Sequence, residues 1–233
     1  MKIIYALMLA LFSVAASAQN VDVDKLTLPD GFSVSVYAEI ENPRQLAIGA
    51  NNTVFVGSLR GSVWALINPE EDIRAREAVR VAEGLNTPNG VAYHGGDLFV
   101  GEIDRISTIQ NIDTKLNGVQ STKTVTDDLP NRRHHGFKFL AIGPDDKIYL
   151  PVGAPCNVCE EEEIFGTLLK MNLDGSDLEI IAKGIRNTVG LDFHPSSGEL
   201  WFTDNGRDML GDDLPACEIN RLSAEGQHFG FPY

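Results

Sequence analysis

Four times in this chain an apolar run, a turn and a second apolar run follow one another, with an aromatic residue second in the second run. The second runs are Val54-Phe55-Val56-Gly57, Leu98-Phe99-Val100-Gly101, Ile148-Tyr149-Leu150-Pro151 and Leu200-Trp201-Phe202-Thr203, with the aromatic residues 44, 50 and 52 positions apart. The first runs are Leu46-Ala47-Ile48, Val91-Ala92-Tyr93, Leu140-Ala141-Ile142 and Leu191-Asp192-Phe193. Between them lie turn formers such as Gly49-Ala50-Asn51-Asn52, Gly95-Gly96-Asp97 and Gly143-Pro144-Asp145-Asp146. Further strands follow in each unit, for example Ser62 to Ile67 and Leu168 to Asn172. A unit of strand, turn, strand and more strands, repeating at about 45–50 residues, has the pattern of a β-propeller blade. A sandwich does not place the same aromatic in register four times.

The expected fold is therefore all-β. No amphipathic helix of normal length is present, although Glu70 to Glu83 is charged enough to hold one turn or two. Four units fit in the chain, whereas small propellers usually close with six or more, because an open ring exposes a strand edge and an apolar blade face. The last residues, Phe229-Gly230-Phe231-Pro232-Tyr233, are apolar and uncapped. We expect a partial propeller of about four blades over residues 19–233, part of a longer ring; a closed four-bladed ring is the alternative.

The N-terminus carries an export signal. Lys2, the apolar stretch Ile3 to Val14 and the small-x-small site Ala16-Ser17-Ala18 describe a signal peptide over residues 1–18. The run is shorter than the roughly 20 apolar residues a membrane anchor needs. No later stretch is long and apolar enough to cross a bilayer, so the expected location is periplasmic or secreted. The formal charge is −14, and −15 once Lys2 is removed, with 18 basic against 33 acidic residues. Such a surface repels phosphate backbones and anionic membranes, which argues against a nucleic-acid partner.

In an oxidising compartment Cys156 and Cys159 form a disulfide by default, with half of a zinc site as the other reading. Cys217 is left over. Three loops then draw attention. Arg132-Arg133-His134-His135-Gly136 precedes the third unit, and a neutral imidazole there accepts a proton from a hydroxyl at neutral pH. Gly184-Ile185-Arg186-Asn187-Thr188-Val189-Gly190 enters the fourth and offers a planar cation and an amide. Thr203 to Asp213, with Glu218-Ile219-Asn220, is rich in the hard oxygen donors that suit Ca²⁺, at a spacing unlike an EF-hand. The acidic run Glu160 to Glu163 reads as solvated surface.

These loops, in this order, resemble those of the glucose/sorbosone dehydrogenase family, soluble six-bladed propellers that hold pyrroloquinoline quinone (PQQ) with calcium. The matching text runs from His134-His135-Gly136 through Ile142-Gly143-Pro144-Asp145 to Gly184-Ile185-Arg186-Asn187-Thr188-Val189-Gly190-Leu191, then Trp201-Phe202-Thr203-Asp204-Asn205-Gly206-Arg207-Asp208. It is most similar to the sorbosone-dehydrogenase-like branch. The resemblance implies an oxidoreductase that removes a proton and a hydride from a sugar or related alcohol or aldehyde. It gives His135 the role of general base, Arg186 and Asn187 contacts to the quinone, and the carbonyls of Gly206 and Arg207 the calcium.

Two departures are visible. Ala154 stands where soluble glucose dehydrogenases have the Asp that assists the histidine, so His135 needs another partner. The family's remaining quinone-binding basic residues belong to blades after Tyr233, and relatives of this branch often continue with a Cys that would offer Cys217 a partner. Two other functions remain in view. A metal-dependent lactonase would need a cluster such as Glu102, Asn187 and Asp204, and a non-catalytic propeller would bind a partner or glycan.

Overall fold

The computed structural model describes residues 22–68, 73–160 and 162–233, and within them the repeat becomes four antiparallel sheets. The first blade holds β1 (Pro43–Ile48), β2 (Val54–Ser58), β3 (Val63–Ile67) and β4 (Glu77–Ala82); the second holds β5 (Gly90–His94), β6 (Asp97–Gly101), β7 (Ile106–Ile109) and β8 (Lys123–Thr126). The third comprises β9 (Ala141–Ile142), β10 (Lys147–Val152), β11 (Thr167–Asn172) and β12 (Glu179–Lys183), and the fourth β13 (Leu191–Phe193), β14 (Leu200–Asp204) and β15 (Glu218–Leu222). A last short strand, β16 (Gln227–His228), runs parallel along β12. The expected signal peptide, residues 1–18, lies outside the described residues. No helix among them is long and apolar enough to cross a membrane.

One expectation is corrected. Where charge density allowed a helical turn, Glu77–Ala82 is the outer strand of the first blade, and Val79, Val81 and Ala82 pack on its core. The alternation of Ala78-Val79-Arg80-Val81 is a strand period, and tertiary packing outweighs the charge pattern. Residues 70–72 lie outside the described part.

The repeated aromatic has one job in each blade. Phe55 lies opposite Ala47 and Ala65 on its neighbouring strands, Phe99 opposite Ala92, and Tyr149 opposite Ala141. A small residue beside each ring leaves it room to stand off the sheet and fill the gap to the next blade. Phe55 stacks 5.9 Å from Tyr93 of the second blade, Phe99 joins the core of the third, and Tyr149 meets Phe193 of the fourth edge-on at 4.9 Å. Their exposures are 0%, 4% and 8%. The fourth member, Trp201, has no following blade in the described residues and is 39% exposed.

Antiparallel order fixes where loops emerge. In every blade the segment entering the first strand and the segment leaving the second lie at one end of the sheet, and the turn between those two strands lies at the other. At that other end β5 and β6 close on Gly95 (φ 57°) and Gly96 (φ 89°), a pair of positive φ angles that glycine adopts without strain. At the shared end, Gln45 of β1 ties three blades together. Its Nε2 donates to the Leu140 carbonyl at 2.6 Å, and its Oε1 accepts from the N–H groups of Leu140 (2.9 Å) and Val91 (3.3 Å).

Candidate functional site

His135 sits on the segment entering the third blade, and residues 153 onward leave that blade's second strand, so the two loops meet at one end. The His135 Nδ1 lies 2.7 Å from the carbonyl oxygen of Ala154. A carbonyl only accepts, so Nδ1 carries the hydrogen and Nε2 of the neutral ring keeps its lone pair. The residue is half-buried, and burial, with help from the charges of His134 and Arg186, pushes its pKa below the ordinary histidine value. His135 also holds φ at +49°, a left-handed backbone uncommon outside glycine and the short polar residues. Gly153 permits the approach: a Cβ there would lie 2.6 Å from the His135 Cβ.

The partner that His135 was expected to need is thus a backbone carbonyl, that of Ala154 itself. Ala154 is itself pinned, its N–H donating to the Arg186 carbonyl at 2.8 Å. Sequence reasoning counted side chains and did not foresee a carbonyl in this role.

Arg186 is 2% exposed, and all five of its guanidinium N–H groups are taken by the protein. Nε donates to the Asn157 carbonyl (2.9 Å), and Nη1 to the carbonyls of Asn205 (3.1 Å) and Gly206 (2.8 Å). Nη2 donates to Asn157 Oδ1 (2.9 Å) and Asp208 Oδ2 (2.6 Å). The cation is fixed in place and acts on its surroundings through charge. Asn187 follows with a half-buried side-chain amide that bonds to no described residue. Asn205, whose N–H donates to the Asn187 carbonyl at 3.0 Å, also carries an unpaired half-buried amide.

The carboxylates of the lactonase alternative are used as braces. Asp204 accepts the backbone N–H groups of Arg186 (3.1 Å) and Asn187 (2.7 Å), and its burial raises its pKa. Glu102, at the matching place in the second blade, accepts the Asn86 N–H at 2.6 Å and the Ser107 hydroxyl at 3.0 Å. Among the described residues no group of three or more His, Cys, Asp or Glu side chains is arranged to hold a metal. For calcium, the donors present at the expected place are the half-buried Gly206 carbonyl, with one lone pair engaged by Arg186, and the Arg207 carbonyl, which accepts no hydrogen bond from the described residues. Carbonyl oxygens of this kind suit a hard cation completed by water and ligand oxygens. A neutral imidazole, a fixed cation and two unpaired amides at one end of the ring likewise fit a polar, anionic quinone.

Two further features adjoin the site. Cys156 and Cys159 are joined in a disulfide, with Cα atoms 6.1 Å apart, and Cys217 is an exposed free thiol. Lys138 is 1% exposed; its Nζ donates to the Gly136 carbonyl at 2.7 Å, and burial pushes its pKa down to about 8. The Phe-Lys-Phe context of Lys138 was the available sequence signal for a buried cation.

Residues 101–233 match the glucose/sorbosone dehydrogenase family, and the chain belongs to that family. A curated protein of Borreliella burgdorferi, described as uncharacterized, is 31% identical over 95% of this chain and 60% of its own length. The chain therefore spans about three-fifths of that relative. Solved structures share the fold. The PQQ-bound aldose sugar dehydrogenase of Streptomyces coelicolor superposes with a TM-score of 0.67 at 17% identity, over 85% of this chain and 65% of that one. The holo PQQ domain of pyranose dehydrogenase from Coprinopsis cinerea gives 0.67 at 14%, over 78% and 51%. A calcium structure of a Trichoderma reesei family AA12 carbohydrate-active enzyme gives 0.66 at 17%, over 82% and 54%.

Proposed function

We propose that the whole protein is an exported PQQ- and calcium-dependent dehydrogenase acting on a sugar or related polyol or aldehyde, with His135 as its general base. The observation that carries this reading is the His135 Nδ1–H bond to Ala154, which leaves Nε2 free on a ring held neutral by its surroundings. A base of that kind takes the proton of a substrate hydroxyl at neutral pH. When bound, PQQ with calcium supplies the hydride acceptor and a Lewis acid that polarises it.

The chain's own residues then have distinct tasks. His135 Nε2 receives the hydroxyl proton, and the fixed Nδ1–H keeps the ring in the tautomer that can do so. Arg186 holds a buried positive charge fixed beside His135, and would stabilise negative charge on a quinone bound there without needing to move. Asn187 offers a free amide to the quinone, and the Gly206 and Arg207 carbonyls would hold the calcium. The substrate is a small molecule delivered from the periplasm or outside the cell, and the electrons leave to a separate acceptor.

The test is reconstitution of the full-length apoprotein with PQQ and Ca²⁺. Sugar-dependent dye reduction that is lost in His135→Ala, with the circular-dichroism spectrum unchanged, supports the reading. Absence of a quinone spectrum after reconstitution, or undiminished turnover in His135→Ala, contradicts it.

A further inference from the structure

We infer that Asn157, held inside the Cys156–Cys159 disulfide loop, is the positioning residue for Arg186. Its role in turnover rests on the function proposed above.

Arg186 reaches the site from the loop entering the fourth blade, yet two of its five hydrogen bonds come from one residue of the third. The Asn157 carbonyl accepts from Nε and its Oδ1 accepts from Nη2, both at 2.9 Å. The same Oδ1 accepts the Asp208 N–H at 2.8 Å, and Asn157 Nδ2 donates to the Asp208 carbonyl at 3.2 Å. Asn157 thereby clamps the guanidinium and the Gly206–Asp208 loop at once. Asp208, the ion partner of Arg186, is itself held by these two bonds; its carboxylate is 68% exposed and would wander without them.

The clamp depends on backbone as well as side chain, because Nε is held by the Asn157 carbonyl. No substitution at position 157 removes that carbonyl, but its direction is set by the loop. Closing Cys156 to Cys159 restricts the two residues between them to few backbone conformations. The disulfide thus aims the carbonyl and the side chain of Asn157 together. Without this aim, Nε–H and one Nη2–H of a side chain only 3% exposed lose their acceptors, and the guanidinium must turn to find others. The fixed charge beside His135 turns with it.

The experiment uses the full-length protein labelled with ¹⁵N-arginine, the Arg186 Nε–H and Nη2–H signals being identified by their absence in Arg186→Lys. In the oxidised apoprotein these hydrogens exchange slowly with solvent. Asn157→Ala, which removes the Oδ1 acceptor, accelerates exchange at Nη2, and reduction of the folded wild type with dithiothreitol, which frees the carbonyl as well, accelerates it at both Nε and Nη2, in each case at least about tenfold, the scale expected when a buried group loses its hydrogen-bond partner. Asn157→Asp, which keeps the acceptor oxygens, restores slow exchange. In protein reconstituted with PQQ and Ca²⁺, Asn157→Ala lowers kcat by about 10–100-fold, the range for partners that orient a functional group, while KM for the sugar stays within about twofold. Unchanged exchange in both Asn157→Ala and the reduced protein overturns the inference, as does accelerated exchange with an unaltered kcat. If the wild type turns over no sugar, the proposed function falls, and the exchange measurement on the apoprotein still decides whether Asn157 fixes Arg186.

Discussion

His135 and Ala154 meet through a 2.7 Å contact between imidazole Nδ1 and a backbone carbonyl. A carbonyl cannot be protonated near neutral pH and carries no net charge. It therefore fixes the tautomer as a carboxylate would, without raising the basicity of the ring as strongly. The consequence is an imidazole that protonates at lower pH than one paired with an Asp.

That difference sets a pH profile. Burial, aided by neighbouring positive charge, lowers the His135 pKa below 6.5. The kcat/KM of the reconstituted enzyme is then level at pH 7 and above and declines only as pH falls through the lowered value. Stability follows the same sign. Below 6.5 the unfolded chain takes up the proton before the folded one does, so the stabilising contribution is complete above 6.5 and is lost on acidification. Ala154→Asp adds a carboxylate to the residue whose carbonyl the ring meets and should move the fall in kcat/KM to higher pH, because a nearby negative charge favours the imidazolium. A profile unmoved by Ala154→Asp would count against this pairing.

Gly153 is the second lever on His135. Gly153→Ala places a methyl group 2.6 Å from the His135 Cβ and 2.8 Å from its carbonyl oxygen, so the loop must shift. The expected cost is about 1–3 kcal/mol in urea unfolding, with activity falling further than the unfolded fraction explains. Wild-type stability with unaltered turnover would show that the loop tolerates the shift.

Lys138 gives a separate signature at alkaline pH. Its pKa falls from 10.5 to about 8 because its ammonium is buried. Between those values the unfolded chain holds a proton that the folded chain has released, so wild-type stability rises with pH across that window. Lys138→Met removes the titrating group and flattens the rise. Thermal melts of both proteins from pH 7.5 to 10.5 check it, and parallel curves would place the pH dependence elsewhere.

The fold was legible because its signal is repeated. Phe55, Phe99 and Tyr149 each fill an interblade gap beside an alanine, and a packing need that recurs every blade leaves a recurring residue. Glu77–Ala82 was misread because surface charge outweighs alternation over so short a run. The candidate site was legible as three loops, since each carries residue types odd for packing. Its connections were not. The partner of His135 is a main-chain carbonyl, which any residue supplies, and the partner of Arg186 is an asparagine that stood in the sequence only as a spacer between two cysteines. Braces such as Asp204 and Glu102 looked like ligands because a carboxylate that accepts backbone N–H groups has the same letters as one that binds a metal.

The most direct measurement of the central claim is the spectrum and turnover of the full-length apoprotein after addition of PQQ and Ca²⁺. The account predicts a bound-quinone absorbance that sugar bleaches in the wild type, and that forms in His135→Ala but is bleached about 10²–10⁴-fold more slowly, the range lost with a general base. A wild type that binds no quinone, or a His135→Ala protein bleached at the wild-type rate, would contradict it.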